Sequence, residues 1–124
     1  MHDPRGDRML YSPDILFIRD GKKKLADVIT CAAPNFKAAG RYKMVSYEEN
    51  LNVLEDRIKF IVSNLEGREL DTVILGAWGC GVFGQNPVDV ANLFKRYSPY
   101  IDAKTVVFAV IGDDNFREFK RVCE

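Results

Sequence analysis

Hydrophobic positions along the chain follow two kinds of spacing. Leu51, Leu54, Ile58, Ile61 and Leu65 recur at steps of three and four, which draws one apolar stripe on a helix. Ser46 stands ahead of that stripe with Glu49 three residues on, the spacing of a capping box, and Gly67 supplies a stop. A second helix opens at Asn86-Pro87, with Asn as cap and Pro at the first position, where its missing N–H costs nothing. Its inner face reads Val90, Ala91, Phe94 and Tyr97, and Ser98-Pro99 ends it. The other apolar runs are short and read as strands: residues 14–19, residues 25–33 around Val28-Ile29-Thr30, Thr72-Val73-Ile74-Leu75, and residues 105–111. The continuous run at 72–75 fits a strand covered on both faces. Asp20-Gly21 is a turn that makes the first two strands antiparallel neighbours, and Lys22-Lys23-Lys24 reads as a solvated charge run. Residues 34–45, with Gly40, read as a loop. Gly112-Asp113-Asp114-Asn115 turns the chain into a short last helix bearing Phe116 and Phe119.

The predicted order is β-β-α-β-α-β-α. Alternation at this spacing means right-handed crossovers, with helices packed on one largely parallel sheet: an α/β fold. Four strands make a small sheet for that class. No repeat, low-complexity segment or linker divides the 124 residues, so residues 1–124 read as one domain.

Composition narrows the function classes. Lys plus Arg equals Asp plus Glu, 18 each, so no global field draws the chain to nucleic acid or to a lipid surface. No apolar run is long enough to span a bilayer, and Met1-His2-Asp3-Pro4-Arg5-Gly6-Asp7-Arg8 has no apolar segment of a secretory signal. Cys31, Cys80 and Cys123 are odd in number and far apart; they form neither a metal pattern nor a disulfide framework, and read as reduced thiols of a cytoplasmic protein. His2 is the one histidine, and its terminal place argues against a His-based catalyst or a zinc site. Neither a metal nor a cofactor is expected.

The chemistry concentrates in Gly76-Ala77-Trp78-Gly79-Cys80-Gly81-Val82-Phe83-Gly84, between a strand and a helix. Four glycines in nine residues cost backbone entropy and make sense where the chain takes unusual dihedrals or lets something approach closely. Successive N–H groups in such a loop can form an anion nest, helped by the positive end of the next helix. A merely tight connection needs fewer residues. Residues 79–84 match G-x-G-x-x-G, yet Pro87 starts the helix after the last glycine, and Asp102 precedes its strand where a ribose-binding acid should end one. No Lys-Ser/Thr pair follows, so the loop is not a P-loop either. Trp78 and Phe83 either pack beneath the loop or, Phe83 above all, lie against a sugar or base. Cys80 could serve as a nucleophile near N–H donors, but no histidine is at hand to activate it.

These residues resemble the diphosphate-binding loop of the microbial-type poly(ADP-ribose) glycohydrolases, which are macrodomain relatives. The likeness continues outside the loop. Arg8-Met9-Leu10-Tyr11-Ser12-Pro13-Asp14, ending in Phe17-Ile18-Arg19-Asp20, is similar to the family's Met-Ile-Tyr-Ser-Pro … Phe-Arg-Asp segment. Thr30-Cys31-Ala32-Ala33-Pro34-Asn35 resembles its Ala-Pro-Asn strand end. Arg57 lies in a helix like the one before the family's loop, and Phe108-Ala109-Val110-Ile111 with Asn115 and Phe116 looks like its closing strand and helix. A small departure is Gln85-Asn86, where the family often has Asn-Pro or Asn-Asp.

The resemblance implies a macrodomain-like fold, three-layer α/β/α around a mixed sheet and shortened at the N-terminus. It implies ADP-ribose or a related nucleotide as ligand, free or carried on an ADP-ribosylated protein. The diphosphate would sit on the backbone N–H groups of Gly76, Ala77, Trp78, Gly79, Cys80, Gly81, Val82, Phe83 and Gly84, with Phe83 beside the distal ribose and Asn115 in the ligand-binding set. The family's catalytic signature, a triple glycine followed by Gln-Glu-Glu, lies upstream of its Tyr-Ser-Pro segment and is not among these 124 residues. Glu48-Glu49 is no substitute, since no glycine stretch precedes it and it starts a helix. The family's early strands and helix are missing too, which accounts for the small strand count. Three readings follow. The first is an ADP-ribose-binding module that cleaves no glycosidic bond. The second is a glycohydrolase that takes its carboxyl group from Asp113 or Asp114 or from a partner's catalytic segment, although helix capping is the plainer role for the two aspartates. The third is a structural fragment, or one half of a split protein, whose open sheet edge pairs with a second copy or with a partner chain.

Overall fold

A computed structural model of the chain describes residues 9–37, 46–81 and 83–124. His2, Arg8, Gly40 and Val82, singled out above, lie outside the described residues. The elements are β1 (Leu10–Arg19), β2 (Lys22–Thr30), α1 (Tyr47–Leu65), β3 (Leu70–Leu75), α2 (Pro87–Tyr97), a 3-10 turn (Ser98–Tyr100), β4 (Ala103–Phe108) and α3 (Asp113–Cys123). Their order is the predicted one. The predicted single sheet is not: β1 pairs only with β2, antiparallel, and β3 only with β4, parallel, so the fold is mixed α/β with two small sheets among the described residues. The chain divides into two compact units, Met1–Ala32 and Ala33–Glu124.

The first unit is a hairpin. Asp20 (φ 50°) and Gly21 (φ 75°) both take left-handed backbone, the signature of a two-residue turn whose twist matches the strands it joins. That turn sets Arg19 opposite Lys22, Ile18 opposite Lys23 and Phe17 opposite Lys24. The lysines are exposed, as a solvated charge run should be, and the register also makes them ladder residues of β2, which starts before the predicted Leu25. β1 also starts earlier than predicted and carries an irregularity between Ser12 and Ile15. There the Asp14 N–H donates to Asp27 Oδ1 at 2.9 Å, and the Tyr11 hydroxyl donates to the same carboxylate.

In the second unit α1 follows its predicted stripe. Ser46 Oγ accepts from the Glu49 N–H at 3.1 Å, and Leu54, Ile58, Ile61, Val62 and Leu65 are buried. Asn86 Oδ1 caps α2 by accepting from the Val88 N–H at 2.8 Å, and Val90, Ala91, Leu93 and Phe94 are buried. α2 packs against α1 on one side and α3 on the other. Phe108 of β4 sits between the rings of Phe94 (6.3 Å between centroids) and Phe119 (5.9 Å), which ties the sheet to α2 and α3 through one aromatic cluster. Of the last helix's two phenylalanines, Phe119 is buried and Phe116 is exposed.

The helices cover one face of the β3–β4 sheet. Val73 is buried, while Ile74 is 69% exposed and its ladder partner Val107 is 41% exposed. The expectation that residues 72–75 are covered on both faces fails: among the described residues nothing lies over the side carrying Ile74 and Val107. β4 ends at Phe108, short of the predicted 111, because β3 ends at Leu75 and leaves no partner strand beyond it. No described helix is long and apolar enough to cross a membrane.

Candidate functional site

Parallel pairing brings the C-terminal ends of β3 and β4 to one sheet edge. The glycine loop leaves from the first and the approach to α3 from the second, so residues 76–84 and the first turn of α3 start at the same edge. Asp102 lies at the opposite edge, where its carbonyl accepts from the Leu70 N–H at 2.8 Å. α2 starts at Pro87, after the last glycine of the loop. Both placements set the loop apart from a Rossmann site.

The loop is held by its own backbone. The Trp78 N–H donates to the Gly76 carbonyl (2.8 Å), Cys80 to Ala77 (3.1 Å), Gly84 to Gly81 (3.1 Å) and Gln85 to Gly79 (2.9 Å). From outside, the Lys37 N–H donates to the Phe83 carbonyl at 3.0 Å. The N–H groups of Gly79, Gly81 and Phe83 have no acceptor among the described residues. The loop thus interleaves satisfied amides with amides still able to donate, which is what an anion nest requires.

Its glycines differ in what they do. Gly79 (φ 78°) and Gly84 (φ 71°) take left-handed backbone in crowded places. A Cβ on Gly79 would lie 2.6 Å from Ala33 Cβ and 2.9 Å from Gln85 Cγ; one on Gly84 would lie 2.8 Å from Lys37 Cβ. A Cβ on Gly76 would approach the Ala109 carbonyl at 3.3 Å. Gly81 is different. Its φ is outside the left-handed region and a Cβ there would meet nothing within 4 Å. Among the described residues nothing requires a glycine at 81.

Side chains around the loop were less legible. Gln85 is buried, and so is Asn50 of α1. Asn50 falls four residues before Leu54, on the apolar stripe itself, so a polar residue on that stripe was the available signal. Asp89 occupies the first turn of α2 and accepts a hydrogen bond from the Tyr47 hydroxyl, a bond that holds the phenol pKa above its ordinary value. Tyr47 also packs edge-on against Phe36, at 6.2 Å between centroids. With Asn86 capping an amide and Asp89 answering the dipole, part of the positive field expected from this helix end is already neutralised.

The remaining sequence-predicted residues are placed as follows. Ala77, Trp78, Cys80 and Phe83 are half-buried. Burial pushes the Cys80 thiol up to about 11, with the Asp89 charge adding to the effect. A thiol so disposed is a poor nucleophile near neutral pH. Asn115 is half-buried in the first turn of α3; Asp113 and Asp114 are exposed there. The expected capping by these aspartates is not made. Gly112 is the cap residue, no side chain caps the helix, and both carboxylates only face the positive end of its dipole. Asp114 pairs with Arg117 at 3.8 Å.

No protein-family model and no curated protein sequence matches the chain. Solved structures do. Poly(ADP-ribose) glycohydrolase from Deinococcus radiodurans in complex with ADP-ribose matches with a TM-score of 0.85 at 28% identity, over 96% of this chain and 53% of that one. Its apo form matches with a TM-score of 0.78 at 28% identity, over 95% and 55%. The enzyme from Thermomonospora curvata matches with a TM-score of 0.82 at 30% identity, over 97% and 49%. The chain therefore spans about half the length of these glycohydrolases. Along nearly all of its own length its structure is similar to about half of a microbial poly(ADP-ribose) glycohydrolase, consistent with the C-terminal portion.

Proposed function

We propose that the chain binds ADP-ribose, or a related nucleotide diphosphate, through residues 76–84, as a cytoplasmic binding module. The observation that carries this reading is Gly81. A Cβ there would meet none of the described residues, its own N–H and those of Gly79 and Phe83 have no acceptor among the described residues, and close approach of a ligand to the backbone supplies the reason for glycine. The similar Deinococcus enzyme was crystallised with ADP-ribose, which supports the choice of ligand. Phe83 and Asn115 are the side chains we assign beside the diphosphate, Phe83 toward the distal ribose. Calorimetric titration with ADP-ribose tests the reading: heat is expected, and it weakens in Gly81→Glu, which sets a carboxylate against the diphosphate. No heat with ADP-ribose, ADP or NAD overturns it.

A second reading concerns what completes the fold, and the bare side of the β3–β4 sheet favours it. Parallel sheets are ordinarily covered on both faces, and an open edge invites another strand. A second copy of the chain, or a partner polypeptide equivalent to the unmatched half of the glycohydrolases, would cover Ile74 and Val107. A partner that carried the catalytic signature would make the assembly an ADP-ribosyl glycohydrolase.

A further inference from the structure

Gln85 and Asn50, 35 residues apart, form a reciprocal amide pair. Asn50 Nδ2 donates to Gln85 Oε1 at 2.9 Å, and Gln85 Nε2 donates to Asn50 Oδ1 at 2.9 Å. Gln85 Nε2 donates its second hydrogen to the Pro34 carbonyl at 2.7 Å. The two residues are 3% and 4% exposed. Three segments thereby meet at one side chain: α1, the chain at Ala33-Pro34, and the exit of the glycine loop.

The consequence for the loop follows from the backbone of the same residue. The Gln85 N–H closes onto the Gly79 carbonyl at 2.9 Å, so residues 79–85 form a closed turn. The Gln85 side chain also lies against Gly79, with Cγ only 2.9 Å from where a Cβ would stand. Fixing the Gln85 side chain therefore fixes the Gly79 peptide, and with it the direction of the open N–H groups that follow. A buried pair with its hydrogen bonds made has one geometry, whereas an apolar pair of the same volume slides.

We infer that Gln85, held by Asn50 and Pro34, is a positioning residue that presets the direction of the open Gly79, Gly81 and Phe83 N–H groups without touching the ligand. The inference rests on the ADP-ribose reading for its ligand but not for its structural readout. The loop is then largely formed before ligand arrives, and binding does not have to order it.

The test separates positioning from stability. Gln85→Met alone strands the Asn50 amide and lowers stability; the double variant Asn50→Leu/Gln85→Met removes both polar partners and regains most of it. The signals of the Gly79, Gly81 and Gly84 amides in 15N-labelled protein report the loop, thermal melting reports stability, and titration with ADP-ribose reports binding. In the double variant the expected result is near-native melting, displaced or broadened Gly79 and Gly81 signals, and affinity weaker by about tenfold or more. Native glycine signals with native affinity in the double variant overturn the proposal, as do native glycine signals in Gln85→Met. If the unaltered chain binds no ADP-ribose, the proposed function fails and the glycine signals alone still decide whether the pair sets the loop.

Discussion

Alanine at position 81 and alanine at position 79 should have opposite effects, and the structure gives the sizes. At Gly79 the new Cβ is forced into left-handed backbone, which costs about 1–2 kcal/mol. It also enters space 2.6 Å from Ala33 Cβ and 2.9 Å from Gln85 Cγ, and such overpacking costs about 1–3 kcal/mol more. The sum of roughly 2–5 kcal/mol corresponds to a fall in melting temperature of about 10 °C or more in a domain near 100 residues. At Gly81 the Cβ meets nothing within 4 Å and φ lies outside the left-handed region. A Gly→Ala change at a compatible position is neutral, or stabilises by about 0.4–1 kcal/mol through the unfolded chain. Gly81→Ala should therefore melt at or slightly above the wild-type temperature and yet bind ADP-ribose more weakly, because the methyl stands where the ligand approaches. Thermal melting followed by circular dichroism, with calorimetric titration on the same samples, reads both. A melting loss in Gly81→Ala equal to that of Gly79→Ala would refute the claim that position 81 is free of the fold. Unchanged affinity in a stable Gly81→Ala would refute close approach of the ligand there.

Four further outcomes are expected. Cys80 in the folded chain should alkylate slowly at pH 8: raising the thiol from 9.0 to about 11 cuts its thiolate share about ninetyfold, partly offset by greater intrinsic nucleophilicity, for a net slowing of roughly tenfold against urea-unfolded protein. The linked stability is fully present below the unfolded thiol's pKa and is lost as pH rises toward 11, so urea unfolding at pH 7 and pH 10 should show the loss and Cys80→Ala should reduce it. Light scattering at micromolar concentration should give a mass above that of one chain, and a monomeric mass counts against a covered Ile74–Val107 face. Asn86→Ala removes the cap on the Val88 N–H and should cost about 1 kcal/mol in urea unfolding, with no loss read as evidence that α2 is held by packing alone.

What was legible in the sequence was local. The α1 stripe, its Ser46 cap, the Asn86-Pro87 start and the Asp20-Gly21 turn each depend on residues a few positions apart, and each is found. The glycine loop was legible because four glycines in nine residues need a reason. Lys22, Lys23 and Lys24 are exposed as expected, but that they open β2 is decided by the turn's register and was not legible from their charge. Ile74 misled because an apolar side chain says that it prefers cover and not whether cover is present. The Asn50–Gln85 pair was out of reach because neither residue announces a partner 35 positions away.

The pairing of β3 with β4 also has a temporal side. The β1–β2 hairpin closes over two residues and can form within microseconds of leaving the ribosome. Leu70 meets Ala103 only after the loop and α2 have been synthesised between them. Non-local closure of this kind is slow, and until it happens β3 stands unpaired with Val73 and Ile74 bare. Synthesis through Phe108 is thus the step that gives β3 its partner strand. A chain shortened before β4 should be captured by chaperones while the whole chain is released.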